Sequence, residues 1–429
     1  MTEFVTQRQA GVTIHVLPTD QFKVNTIVVN FHRPLYESMA TGTALVPYLL
    51  MRGTKTYRDA QALQTALDDL YGAAINGYIV KKGERQIVEF VLQVPNEQFL
   101  NANEPLLDQA LSVLQEILFH PRLDANAFPK DQVEKEKALH KERILSIIDD
   151  KIAYASERCL ETMCKDEPFG VPRLGTVEQL EKLTHEELYQ TYTQVLQASD
   201  IHVYVIGQLD PDTMFKKIGD VFQQNPFANR KPDFPSIQIR SKRSEVQTIV
   251  EHMDVNQGKL NIGYRTGTTH GDELYPAMIV YNGILGGFPH SKLFINVREK
   301  ASLAYYASSR LESLKGILYV QSGIEIQNYE KALSIIQQQF EEMKTGNISE
   351  QEFAFTRDGL LNQYRTLQDQ PVNIADLYTN GVVSGTTRTI AEMMEAIQHV
   401  TVEQVVQFAQ RVQLDTVYFL RDQEVRQDG

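Results

Sequence analysis

The sequence contains no tryptophan and only two cysteines in 429 residues. Two cysteines cannot build a disulfide framework, which excludes the small secreted scaffolds and suits a reducing compartment. Cys159 and Cys164 are five residues apart and would diverge around a helix rather than chelate, so both read as buried thiols packing as small hydrophobes. Positive charge is also scarce: 42 Lys and Arg stand against 55 Asp and Glu, a net charge of −13. A phosphate-backbone partner calls for the opposite sign, so nucleic acid is excluded as a partner class. No apolar run approaches the ~20 residues that span a bilayer. Met1 to Ala10 is polar, without the apolar stretch of a secretory signal. These absences describe a cytoplasmic chain with neither a membrane nor a nucleic acid to bind.

Residues for intrinsic chemistry are sparse as well. No two of the ten histidines lie closer than 17 residues, so no helix offers a pair of imidazoles to one metal ion. There is no Gly-x-Ser-x-Gly elbow, no Cys with a neighbouring His, and no glycine-rich phosphate loop. The adjacent acids Asp68-Asp69 and Asp149-Asp150 would point different ways on a helix and read as solvated faces.

What is present is the composition of a packed globular protein, 42% hydrophobic and 23% charged, in a length that predicts two to four domains. Residues 225–244 carry three prolines and five Lys or Arg, which predicts an extended linker. On either side the sequence repeats itself. Alternating strands at Lys23–Phe31 and Lys259–Arg265 are each followed by a helical pattern closed by glycine, at Leu45–Gly53 and Met278–Gly287. Strands at Gln86–Val94 and Gly316–Ile324 come next. Long amphipathic helices follow, Leu106–Phe119 with Gln132–Ile148 in one half and Tyr329–Lys344 with Glu350–Leu367 in the other. Both halves close on a capping box, Thr184 with Glu187 and Thr401 with Gln404, and then a strand, 200–205 and 415–420. The expectation is an α+β fold of two duplicated domains, 1–224 and 246–429 joined by a linker at 225–245. Each would hold an antiparallel-rich sheet with helices packed on one face.

The most distinctive stretch runs from Asn282 to Tyr305. A helix is expected to end at Gly286-Gly287 by a positive φ, and a second helix to reach Arg298-Glu299-Lys300 before a strand opens at Leu303. Arg298 and Tyr305 could converge as a guanidinium and a phenol suited to a peptide carbonyl or carboxylate. The alternative is structural: Arg298 would cap helix carbonyls and Tyr305 would pack on the sheet.

The run Leu285-Gly286-Gly287, Ser291-Lys292-Leu293-Phe294 and Val297 to Tyr305 resembles the pitrilysin/insulinase family of inverted-motif zinc peptidases, of the processing-peptidase type. Arg52-Gly53-Thr54, Pro168-Phe169-Gly170, Leu174-Gly175-Thr176 and the duplicated halves extend the resemblance over nearly the whole chain. It implies the processing-peptidase / LuxS-like metallohydrolase fold. It also implies His-x-x-Glu-His on the helix before Gly53-Thr54, with two His and a distant Glu on zinc and the inner Glu as base. Here that helix reads Thr43 to Arg52, and the motif positions fall on Ala44, Pro47 and Tyr48 or on Leu45, Tyr48 and Leu49. The distant ligand falls near Glu142 or Arg143. No metal ligand set remains in either register, so no catalytic residue and no cofactor is expected in this chain. Arg298 and Tyr305 match the family's substrate-binding pair. The resemblance therefore implies the non-catalytic, substrate-binding subunit of a two-chain metallopeptidase, with zinc in its partner and peptides processed in an enclosed chamber. A peptidase-like binding or assembly protein is the alternative function, and self-association the alternative pairing.

Overall fold

A computed structural model describes residues 3–100, 105–223, 234–240 and 245–423. Of the expected linker at 225–245, residues 225–233 and 241–244 lie outside the described residues. The chain folds as two compact units, each of which takes in a segment from the other half of the sequence. The first comprises Met1–Leu145, Val171–Ser236 and Asp369–Asp376, and the second Ser146–Gly170, Ile237–Gln368 and Leu377–Gly429. Among the described residues, no helix is long and apolar enough to cross a membrane.

The first unit is built on a six-stranded sheet. Its strands are β1 (Val5–Gln9), β2 (Val12–Pro18), β3 (Val24–Pro34), β4 (Ala74–Lys82), β5 (Arg85–Pro95) and β6 (Asp200–Gly207), in the order β1-β2-β6-β3-β5-β4. Only β2 and β6 run parallel. Helices Glu37–Leu50, Leu106–Phe119, His185–Ala198 and Pro211–Phe222 pack against this sheet or on one another. Pro47 lies inside the first of these, where a proline removes one backbone bond, and the helix continues because ten of its fourteen residues are buried.

The second unit carries β7 (Gln247–His252), β8 (Gly258–Arg265), β9 (Ala304–Glu312), β10 (Ile317–Ile324) and β11 (Gln413–Arg421), in the order β7-β11-β8-β10-β9. Again one pair, β7 with β11, is parallel. With β1 set aside, the two sheets share one strand order and one pattern of directions. Alternation along β8 and β11 sends Leu260, Ile262, Val417 and Phe419 into the main core beneath Tyr275–Asn282, Tyr329–Thr345 and Val402–Ala409. The opposite face is covered too. Tyr418 and Leu420 meet Ala155 and Cys159 of the Lys151–Met163 helix, so one helix lies on the far side of this sheet from the main helical layer. Both cysteines are buried and neither is in a disulfide.

A buried ion network holds the 146–170 segment within this unit. Glu167 accepts from Arg265 Nη2 at 2.7 Å and from Lys315 Nζ at 2.6 Å, while Arg265 Nε donates to Asp415 at 3.0 Å. All four side chains are at most 2% exposed. Opposite charges in equal number satisfy one another here, which is the condition for burying them at all.

Both capping boxes form as expected, Thr184 with Glu187 and Thr401 with Gln404. Two further ones close Ser349 with Glu352 and Thr389 with Glu392.

Candidate functional site

The helix Glu37–Leu50 carries every position of the degenerate zinc motif. Ala44, Leu45, Pro47 and Leu49 are buried among apolar neighbours, and Tyr48 is half-buried. Tyr48 faces the long helix Lys130–Asp149: its ring centroid is 6.3 Å from that of His140 and 3.9 Å from the guanidinium carbon of Arg143. Of the two expected counterparts of the distant ligand, Glu142 is exposed and Arg143 turns inward. A guanidinium thus stands where the resemblance implies a carboxylate.

What holds it there is Glu136, two helical turns earlier and 1% exposed. Arg143 Nη1 donates to Glu136 Oε1 at 2.7 Å, and Arg52 donates to Oε2 from Nε at 2.8 Å and from Nη2 at 2.5 Å. Both carboxylate oxygens are used. Two guanidinium groups around one carboxylate leave a net charge of about +1, which repels a divalent cation at close range. Burial holds the His140 imidazole below its ordinary range, against the pull of its hydrogen bond to the Leu174 carbonyl, to which Nε2 donates at 2.8 Å. Zinc needs three protein ligands of the His, Cys or carboxylate kind. Among the described residues no group of three or more such side chains could hold a metal ion. The residues present do not fit the metal that the fold family implies.

Glu136 and His140 were absent from the site expectations, and Arg52 entered them only through the Arg52-Gly53-Thr54 resemblance. The available signal was the seven-residue spacing of Glu136 and Arg143, which puts them on one helix face. Gly175, in the Leu-Gly-Thr segment, adopts φ +73°, and a Cβ there would lie 2.0 Å from Thr41 Oγ1. That close approach lets Thr176 N donate to Thr41 Oγ1, joining this segment to the motif helix.

The Asn282–Tyr305 run folds in the second unit as Tyr275–Asn282 followed by two π-helical stretches, Gly283–Gly287 and Phe294–Lys300. Such stretches are rare and recur at functional sites. Gly286 and Gly287 do not end a helix by a positive φ, contrary to expectation. Gly286 is required by space, since a Cβ would sit 2.4 Å from the Ser309 backbone nitrogen on β9.

Arg298, near the end of the second π-helical stretch, has a side chain 43% exposed. It lies over the Phe294 ring at 4.5 Å, with Nε 3.8 Å from Glu299 Oε1. It makes no hydrogen bond to a helix carbonyl among the described residues. Ser302, at φ +53°, turns the chain into β9, where Tyr305 is 66% exposed and its hydroxyl has no partner among the described residues. No hydrogen bond or cation–π contact joins Arg298 to Tyr305. Both face solvent, and neither does what the structural alternative required. Among the described residues, β9 is an edge strand, paired only with β10.

The family description "Peptidase M16 inactive domain" matches residues 182–360. The chain is 38% identical over 417 residues to the probable inactive metalloprotease YmfF of Bacillus subtilis strain 168, an alignment covering 97% of each chain. It is 23% identical over 371 residues to the uncharacterized zinc protease Rv2782c of Mycobacterium tuberculosis, covering 86% of this chain and 80% of that one. Among solved structures, a conserved protein from Enterococcus faecalis V583 superposes with a TM-score of 0.91 at 31% identity, over 98% of this chain and 99% of that chain. The peptidase M16 inactive domain from Pseudomonas fluorescens shares the fold, with a TM-score of 0.80 at 15% identity over 98% of each chain. With its metal locus rebuilt as an ion pair, the chain belongs to the M16, or pitrilysin, peptidase family as one of its inactive members.

Proposed function

We propose that this chain is the metal-free, peptide-binding subunit of a two-chain zinc peptidase, acting in the cytoplasm beside a zinc-bearing relative that supplies metal and base. The observation that carries this reading is the exposure of Tyr305, with a partnerless hydroxyl, seven residues beyond the exposed Arg298. A tyrosine two-thirds in water contributes little to a core. A phenol and a guanidinium are donors suited to peptide carbonyls or a terminal carboxylate. The unpaired edge of β9 adds backbone groups that can take an extended peptide as a further strand. The shared strand order of the two sheets supports an internal duplication, in which one copy lost its ligands and the other kept its substrate-facing pair.

The test is reconstitution. The chain is mixed with a zinc-bearing M16 relative from the same cell, and cleavage of a fluorogenic peptide library is followed. The pair is expected to cleave peptides that neither chain cleaves alone. Arg298→Ala should then lower kcat/KM by about ten- to a hundredfold, the value of a charge-assisted hydrogen bond of ~1.5–3 kcal/mol, with an unchanged melting temperature. Tyr305→Phe should cost less. Variants that melt early yet cleave normally would remove the binding role. A chain that binds the relative without creating activity would leave the assembly-protein reading in its place.

A further inference from the structure

The first unit holds a cavity of about 700 Å³ whose lining includes none of the degenerate motif positions, the Glu136 ion cluster or the Arg298 and Tyr305 pair. Its walls come from three places in the sequence: the loop after Glu37–Leu50, the turn after Leu106–Phe119, and the helix His185–Ala198. Phe119, Tyr189 and Tyr192 give it an aromatic lining, and Lys55, Arg58 and Arg122 bring three cations to it. No Asp or Glu lines it. In a chain of net charge −13 that is an unusual concentration of one sign. None of the three cations has an ion-pair partner among the described residues.

The walls are preformed. Thr54 and Pro121 make an isolated antiparallel bridge, Lys55 N donates to the His120 carbonyl at 2.8 Å, and Arg122 N donates to the Gly53 carbonyl at 3.1 Å. Arg122 Nη1 donates to the Arg58 carbonyl at 3.1 Å, which fixes that guanidinium at the wall. Tyr192 is held by its hydroxyl, which donates to the Leu118 carbonyl at 2.8 Å. A fixed pocket of this volume is the size of small-molecule sites. Like charges gathered beside apolar walls focus a positive potential that favours an anion.

We propose that this cavity is a binding site for an anionic head group carried on an aromatic body, the head held by Lys55, Arg58 and Arg122 and the ring by Phe119 and Tyr189. Two sources share this chemistry: a free aryl phosphate or carboxylate, and the C-terminal carboxylate of a peptide ending in an aromatic residue. The proposal is independent of the peptidase partner and of Arg298 and Tyr305.

Titration calorimetry on the full chain tests it with four probes: phenyl phosphate, inorganic phosphate, a short peptide ending in Phe with a free carboxylate, and the same peptide amidated. Phenyl phosphate or the free-acid peptide is expected to bind, at least about tenfold more tightly than inorganic phosphate or the amide respectively. The arm that binds more tightly identifies the source. Lys55→Glu/Arg58→Glu, at two exposed positions, should weaken that binding by about tenfold or more without moving the melting temperature. Tyr189→Ala should weaken phenyl phosphate but not inorganic phosphate. Binding of neither aromatic probe, equal binding of inorganic phosphate, or binding unchanged in the doubly reversed variant would each overturn the proposal. Lys55→Ala replaces the double variant should that one fail to fold, with the same two outcomes.

Discussion

Replacing Glu136 by Gln removes the charge that holds two guanidinium groups together while keeping shape and volume. Three donor contacts of 2.5–2.8 Å converge on its two oxygens, and the side chain is 1% exposed. Removing one partner of a fully buried pair costs about 3–5 kcal/mol, because a buried charge is left uncompensated. Here the stranded charges are the arginines, whose side chains are 32% and 34% exposed and can turn partly to water. That moves the expected cost below this range, to about 2–3 kcal/mol. The substituted amide would still accept a hydrogen bond through its carbonyl oxygen, so the loss is electrostatic more than geometric. Arg143→Met should cost less, about 1 kcal/mol, because Arg52 still neutralises Glu136. Urea unfolding followed by far-ultraviolet circular dichroism, with tyrosine fluorescence as a second probe, measures both. A Glu136→Gln variant within about 0.5 kcal/mol of the parent, or one less destabilised than Arg143→Met, would refute the claim that this ion cluster stabilises the first unit.

Three further outcomes follow from the same contacts. Ala44→His/Tyr48→His sets two imidazoles at i and i+4, yet should bind no stoichiometric zinc while Arg143 remains; adding Arg143→Glu should create the site, and zinc retention by the double variant alone would contradict this. In the second unit, Glu167→Gln leaves Lys315 and Arg265, 0% and 1% exposed, with Asp415 as the one remaining carboxylate of the network, and should cost about 3–5 kcal/mol; a loss below about 1 kcal/mol would mean the network is not what holds the 146–170 segment. The third outcome concerns pH. Thr6 Oγ1 lies 2.9 Å from His15 Nδ1, and His15 Nε2 lies 3.0 Å from His202 Nδ1, whose Nε2 reaches Asp200 at 3.1 Å. Burial, with His202 beside it, lowers the His15 imidazole to about 3 against the opposing pull of Asp200. The unfolded chain therefore takes up a proton below about 6.5 that the folded chain refuses, so stability is full above pH 7 and falls as pH drops from 6.5 toward 3. The urea midpoint should fall between pH 7.5 and 5, and fall less in His15→Gln; an equal fall in both would exclude His15 as a cause.

Much of the fold was legible because its signals are local. Leu106–Phe119 and Glu350–Leu367 announce themselves by the apolar stripe of an amphipathic helix, and the Thr184 and Thr401 boxes by spacing alone. β2 and β7 were not read: β7 pairs in parallel with the distant β11, while β2 closes a hairpin with β1 across Ala10-Gly11, a turn set by two positive φ angles that the residue types alone did not mark. The exchange of segments was illegible for a different reason. Ala155, Cys159 and Met163 mark an apolar face on Lys151–Met163, but burial is non-directional and does not say which sheet will cover it. At the degenerate motif, the lost ligands were visible as residue types. The ion cluster that replaced them was not, because it joins Arg52 to residues 84 and more positions away.

Zinc content is the most direct measurement of the central claim, that the ancestral metal locus is now a guanidinium–carboxylate pair. The purified native chain, equilibrated with excess zinc and then dialysed, is analysed for metal by mass spectrometry. The account predicts well under one ion per chain, with Arg143 and Arg52 still paired to Glu136. One tightly held ion per chain, lost on Glu136→Gln, would contradict it.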